Sequence, residues 1–180
     1  VFHMGGFLAV QTHKSQLKSL LQHVTPRILN QKVSIVDVTS QNIFCIEYGV
    51  SNSSVGTFES VGGITHGYIE ENYSLLIASV NIECVCTDDA ESFHEWRIEN
   101  ELPWNSFEIT ASNHPLSVGL GRLVHPDKGC YIGQEVLARM ISRGRQGKKL
   151  VRVENGTIDE KFITTQGQHN SLAIVRESSQ

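Results

Sequence analysis

Cysteine is scarce in this chain, and what there is does not pair into a framework. Four cysteines in 180 residues, at positions 45, 84, 86 and 130, are too few for a disulfide scaffold, and their spacing forms no pair of CxxC zinc knuckles. They read as mostly reduced thiols of an intracellular protein. Long apolar runs are missing too: no stretch of about 18 or more apolar residues exists, so no membrane-spanning helix and no membrane partner are expected. A strong charge of either sign is also absent. The formal charge of -4 and pI near 6.1 give no global reason to expect a nucleic acid or an anionic surface as partner, so any basic site must be local. The chain opens at Val1, not at a methionine, and runs directly into an apolar segment, which leaves room for a targeting peptide upstream.

What is present is the composition of an ordinary globular protein, 39% hydrophobic and 19% charged, long enough for one core or two small ones. Phe7 to Val10 reads as a short strand. Leu17, Leu20, Leu21 and Val24 then recur at the spacing of one buried helical face, with Thr12 as N-cap and Pro26 as stop. Val33 to Val38 and Ile43 to Tyr48, separated by a polar tetrapeptide, read as a hairpin. A Gly/Ser/Asn-rich stretch over residues 49 to 63 follows. Ile64 to Ile69 and Leu75 to Val80 form a second strand pair around Glu70-Glu71-Asn72. Asp88, with Glu91 three residues on, opens a helix carrying Ala90, Phe93 and Trp96 on one side. Leu150 to Val153, Lys161 to Thr164 and Leu172 to Val175 are short candidate strands. This alternation, without the glycine-rich turns of a nucleotide-binding sheet, predicts an α+β fold with an antiparallel sheet and packed helices.

From Asn113 the character changes. Gly119, Gly121, Gly129, Gly133, Gly144 and Gly147 fall within about thirty residues, the density of a loop that approaches something closely. Within it stands Lys128-Gly129-Cys130-Tyr131-Ile132-Gly133-Gln134-Glu135, followed by an apolar face of Val136, Leu137, Met140 and Ile141. This spacing predicts a helix from Gly133 or Gln134 to Gly144. Cys130 then sits just ahead of a helix N-terminus, where unpaired amides and the macrodipole favour an anion, with Lys128 two residues away; both favour the thiolate, the form that attacks electrophiles or ligates iron. Spacing alone leaves Cys130 open between a structural and a functional thiol. It likewise leaves Glu135, Arg139 and Arg143, at i, i+4 and i+8, open between a solvated ridge and a working one.

The run K-G-C-Y-I-G-Q-E at 128 to 135, with Ala138 and Arg139 after it, resembles the signature of the YgfZ-type folate-binding proteins, a family similar to the aminomethyltransferase (T-protein) of the glycine cleavage system. Trp96-Arg97-Ile98-Glu99, Pro103, Glu108-Ile109, Pro115-Leu116 and Gly119-Leu120 resemble the stretch leading into that signature. Ser117 departs from it, standing where relatives usually carry glutamate. The resemblance implies a T-protein-like central domain over residues 1 to 110, a signature loop and helix over 111 to 148, and the remnant of a C-terminal β-barrel over 149 to 180. It implies a factor for assembly or repair of 4Fe-4S proteins that binds tetrahydrofolate, with assembly proteins and client enzymes as partners and a mitochondrial, plastid or bacterial cytoplasmic location. Cys130, supported by Lys128, is the implied working thiol and possible ligand of a transient iron-sulfur cluster. Glu99 matches the glutamate that holds the pterin, a task suited to a carboxylate that accepts two parallel N–H bonds. Tyr131, Gln134, Glu135 and Arg139 complete the implied ligand set. A tetrahydrofolate-dependent aminomethyl transfer and an inactive fragment are the alternatives. The transferases' catalytic aspartate lies in a region with no counterpart here, and Asp37 has no claim to its role.

Other candidates weigh less. Cys84 and Cys86 on a strand would share one face, but two ligands do not make a metal site. His66, His94, His114 and His125 show no metal-ligating spacing. Arg143, Arg145, Lys148, Lys149 and Arg152 place five cations in ten residues, suited to a folate's glutamate tail or an acidic protein, while the lack of interleaved aromatics argues against a nucleic-acid platform.

Overall fold

A computed structural model describes residues 1–83, 87–125, 128–144 and 147–177. The chain is a mixed α and β protein with antiparallel sheets, and it divides into two compact units, Val1–Thr87 and Asp88–Gln180. Residues 88–110 therefore sit with the glycine-rich segment and the C-terminal strands.

In the first unit a two-stranded ribbon, β1 (Phe2–His3) and β2 (Leu8–Ala9), precedes helix α1 (Leu17–Val24). The four expected apolar positions of α1 are its half-buried ones. Its entry differs from expectation. A 3-10 turn, Lys14–Gln16, leads into the helix, and His13 rather than Thr12 accepts the Ser15 N–H; the chain also continues through Pro26 as a second 3-10 turn, Thr25–Arg27. Proline is tolerated there because the first turn of such a helix needs no N–H from it.

The sheet of this unit has the order β3-β6-β5-β4, from β3 (Asn42–Tyr48), β4 (Phe58–Val61), β5 (Ile64–Tyr68) and β6 (Tyr73–Ser79). The β5–β6 hairpin falls where the sequence predicts it. Asn52 holds its turn, donating from Nδ2 to the Glu70 carbonyl at 2.7 Å and to the Tyr73 carbonyl at 3.1 Å. The expected hairpin of 33–38 with 43–48 does not form: β3 pairs along its whole length with β6, and 33–38 is exposed and outside any strand. Asp37 Oδ1 accepts the Thr39 N–H at 2.9 Å and turns the chain into a 3-10 turn, Thr39–Gln41, so local side-chain bonding displaces the ladder. Strand β4 arises inside the Gly/Ser/Asn-rich stretch over residues 49 to 63. Gly62 and Gly63, at φ +61° and +80°, close it onto β5, the backbone a two-residue hairpin turn requires. Phe2 packs over Gly67 of β5, where a Cβ would collide with its ring, and meets Phe58 edge to face at 5.7 Å.

The second unit opens with α2 (Ala90–Glu99). Asp89, one residue later than expected, is its N-cap and accepts the Ser92 N–H at 2.8 Å. Two 3-10 turns, Pro115–Val118 and Gly121–Leu123, lead to α3 (Gln134–Arg143) and to a sheet of order β7-β9-β8, from β7 (Lys148–Glu154), β8 (Ile163–Gln166) and β9 (Asn170–Arg176). Ile98, Leu116, Val118, Leu137, Leu172 and Ala173 form the buried core. Helix α3 begins and ends where the glycines predict: Gly133 at φ +87° and Gly144 at φ +59° flank it. Its apolar face is covered only in part. Leu137 is buried and Met140 half-buried, while Val136 and Ile141 stay 55% and 56% exposed. Cys84, Cys86 and Arg145 lie outside the described residues.

Candidate functional site

Cys130 lies in the turn before α3, exposed and free, with no hydrogen bond to its thiol among the described residues. The local sequence accounts for the turn. Gly133 takes a left-handed conformation that a side chain would strain, the Tyr131 carbonyl accepts the Gln134 N–H at 3.2 Å, and Gln134 returns its Oε1 to the Tyr131 N–H at 3.4 Å. Gly133 itself has no side chain with which to cap α3, and Ile132 is 94% exposed at the tip. A Cβ at Gly129 or Gly133 would meet nothing within 4 Å, so these glycines serve backbone angle and openness rather than close approach to the rest of the chain. Lys128 sets its ammonium 4.2 Å from the Tyr131 ring centroid, a cation–π contact that keeps a positive charge at the loop carrying the thiol. Glu135 and Arg139 are exposed on α3. Lys128, Cys130, Tyr131 and Gln134 thus form one local group.

Glu99 stands elsewhere in the unit, at the last turn of α2. Its carboxylate is half exposed and both oxygens are engaged: Oε1 accepts from Asn170 Nδ2 at 2.8 Å and Oε2 pairs with the Arg152 guanidinium. Among the described residues its side chain bonds with nothing in the 128–143 segment. Arg152, read as one member of a cation run, is therefore a partner of Glu99. No group of three or more His, Cys, Asp or Glu side chains able to hold a metal lies among the described residues. No helix there is long and apolar enough to cross a membrane.

Arg97 and Glu108, both in the stretch that resembles the lead into the signature, meet in a buried network that their spacing does not announce. Arg97 and Glu108 are both fully buried and joined at 2.9 Å. Every nitrogen of the guanidinium is used: Nη1 also donates to the Leu102 carbonyl at 3.3 Å, Nη2 donates to Thr165 Oγ1, and Nε donates to His94 Nδ1 at 2.7 Å. Glu108 Oε2 also accepts the Trp104 N–H at 3.0 Å, while Oε1 takes the hydroxyls of Thr164 and Thr165 at 2.6 and 2.7 Å. Two consecutive threonines reach one oxygen because β8 carries a register shift between Ile163 and Thr165, which sets neighbouring residues toward the same side. A buried pair is stable only when its remaining donors and acceptors are met in this way. Burial first, and the Arg97 charge second, hold the His94 pKa below the ordinary histidine value, with Glu108 opposing. Burial also lowers the Arg97 pKa against the pull of Glu108.

Above this network a cleft of about 650 Å³ is lined by Glu91, His94, Glu95 and Phe107 and by residues 164–168. Neither Cys130 nor Glu99 lines it. Comparison with models of known protein families and with curated proteins finds no match for this chain.

Proposed function

We propose that the chain is a YgfZ-type accessory factor for assembly or repair of 4Fe-4S proteins, with a T-protein-like central domain, in which Cys130 handles an iron-sulfur intermediate and Glu99 holds a tetrahydrofolate. The observation that carries this reading is the open thiol: a free, exposed cysteine in a glycine-flanked turn before a helix, with the Lys128 charge held on the adjacent Tyr131. Such a thiol is accessible to a cluster presented by another protein, and the exposed Ile132 beside it offers apolar contact to that protein.

For the folate, Glu99 supplies a fitting acceptor. Its two oxygens already accept N–H groups from two different donors, Asn170 and Arg152, and a pterin's amino group and ring N–H would replace them in the same pattern. Tyr131, Gln134, Glu135 and Arg139 remain assigned by resemblance. Partner proteins would be the cluster-assembly machinery and its client enzymes, in a mitochondrial or plastid matrix or a bacterial cytoplasm. Aminomethyl transfer is the second reading, carried by the same resemblance. Titration of tetrahydrofolate into the protein distinguishes the folate arm: saturable binding that weakens about tenfold or more in Glu99→Ala is expected, and binding indifferent to that substitution, or no saturation, removes it. A one-carbon transfer assay with the same ligand separates the two readings.

A further inference from the structure

The cleft over the Arg97–Glu108 network belongs to neither half of that proposal, and its chemistry is specific. Three of its lining residues are held from behind: His94 accepts from buried Arg97, and Thr164 and Thr165 donate to buried Glu108. The Arg97 Nε–H donates to His94 Nδ1, so neutral His94 carries its proton on Nε2 and remains a donor. Phe107, 38% exposed and a lining residue of the cleft, lies with its ring centroid 5.0 Å from that of His94 and 4.7 Å from the Arg97 guanidinium carbon.

Two acidic residues, Glu91 and Glu95, complete the lining. Glu95 Oε1 accepts the Gln168 N–H at 2.8 Å, and its second oxygen has no hydrogen-bond partner among the described residues; the Glu91 carboxylate has none on either oxygen. Among the described residues no lysine or arginine lines the cleft, and the Arg97 charge behind it is matched by Glu108. The wall is held tightly against α2. A Cβ at Gly167 would lie 2.8 Å from Ile98 Cδ1, 2.9 Å from Glu95 Oε1 and 2.7 Å from the Asn170 carbonyl, so glycine is what lets residues 164–168 approach the helix.

We propose that this cleft binds a small planar organic cation, an amidinium or guanidinium compound, with its charge against Glu91 and Glu95 and its flat body against Phe107. The volume falls in the range of small-molecule sites. A planar cation satisfies two carboxylates through paired N–H groups while its faces remain apolar enough for an aromatic ring. An anion meets the opposite: two negative charges and, among the described residues, no lining cation.

Benzamidine and benzoate, alike in shape and opposite in charge, test this on the full chain by amide chemical-shift titration. Benzamidine is expected to give saturable shifts confined to residues 91–95, 107 and 164–168, and benzoate none there. The double variant Glu91→Gln with Glu95→Gln keeps shape, and the side-chain amide oxygen introduced at position 95 can still accept the Gln168 N–H. It should weaken benzamidine about tenfold or more with an unchanged thermal midpoint. Phe107→Ala should weaken it as well. Shifts mapping to other residues, equal binding of benzoate, or affinity unchanged in the double variant would each overturn the proposal. So would no saturation by about 10 mM. None of these outcomes bears on Cys130 or on folate.

Discussion

Arg97 and Glu108 lie eleven positions apart, and the pair matters most for what it leaves behind when half of it is removed. Arg97→Met keeps the apolar stem and deletes the charge, stranding a fully buried carboxylate. A loss of roughly 3–5 kcal/mol in unfolding free energy is expected by denaturant titration. Both residues fall in the stretch that resembles the lead into the signature, but nothing local says that they pair. Arg97-Ile98-Glu99 reads as an ordinary helix end, and Thr164 and Thr165, which complete the network, stand 56 and 57 positions from Glu108. Cys130, by contrast, was legible because its neighbours are informative: Gly133, Gln134 and Lys128 determine its surroundings within about four positions.

His94 makes the same network sensitive to pH. Its folded pKa is depressed, so as pH falls through about 6.5 the unfolded chain takes up a proton that the folded chain refuses, and stability declines until the folded pKa is also passed. That contribution is fully present above the unfolded value. Thermal midpoints between about pH 8 and pH 5 should therefore fall more steeply for the natural chain than for His94→Gln, whose carbonyl still accepts the Arg97 N–H. Equal slopes would contradict the assignment. Asp89 acts in a different window. Its pKa is lowered mainly by the Ser92 N–H it accepts, so its share is lost only as pH falls below about 4.

At the level of elements, the ends of α3 are set by backbone angle alone. Gly133 and Gly144 are left-handed and have open space where a Cβ would go. Gly133→Ala and Gly144→Ala should each cost about 1–2 kcal/mol without any steric clash, whereas Gly129→Ala, in open space without a positive φ, should be near neutral; circular dichroism melts check all three. The sequence makes such boundaries readable because glycine is nearly obligatory there. Hairpin β5–β6 was readable through alternation and its polar turn. The pairing of β3 was not, because strand-like residues at 33–38 state a propensity and not a partner, and Asp37 diverts the chain before a ladder begins. Strand β4 carried its signal in Gly62-Gly63, masked by the small polar residues around it.

Across the whole chain, two units each have their own sheet, and the residues proposed to do chemistry fall in the second. The segment 128–144 that carries the thiol is one the sequence describes well, while Glu99 and the cleft depend on contacts with β7, β8, β9 and their connections that no local pattern states. The central claim rests on an open sulfur. Limited alkylation with iodoacetamide under native conditions, read by peptide mass spectrometry, measures it directly, alongside the chain's ability to support a 4Fe-4S enzyme. Cys130 should be modified well before the half-buried Cys45, and support should fall in step with that modification, as it should in Cys130→Ser. Protection of Cys130, or full support after its complete alkylation, would contradict the account.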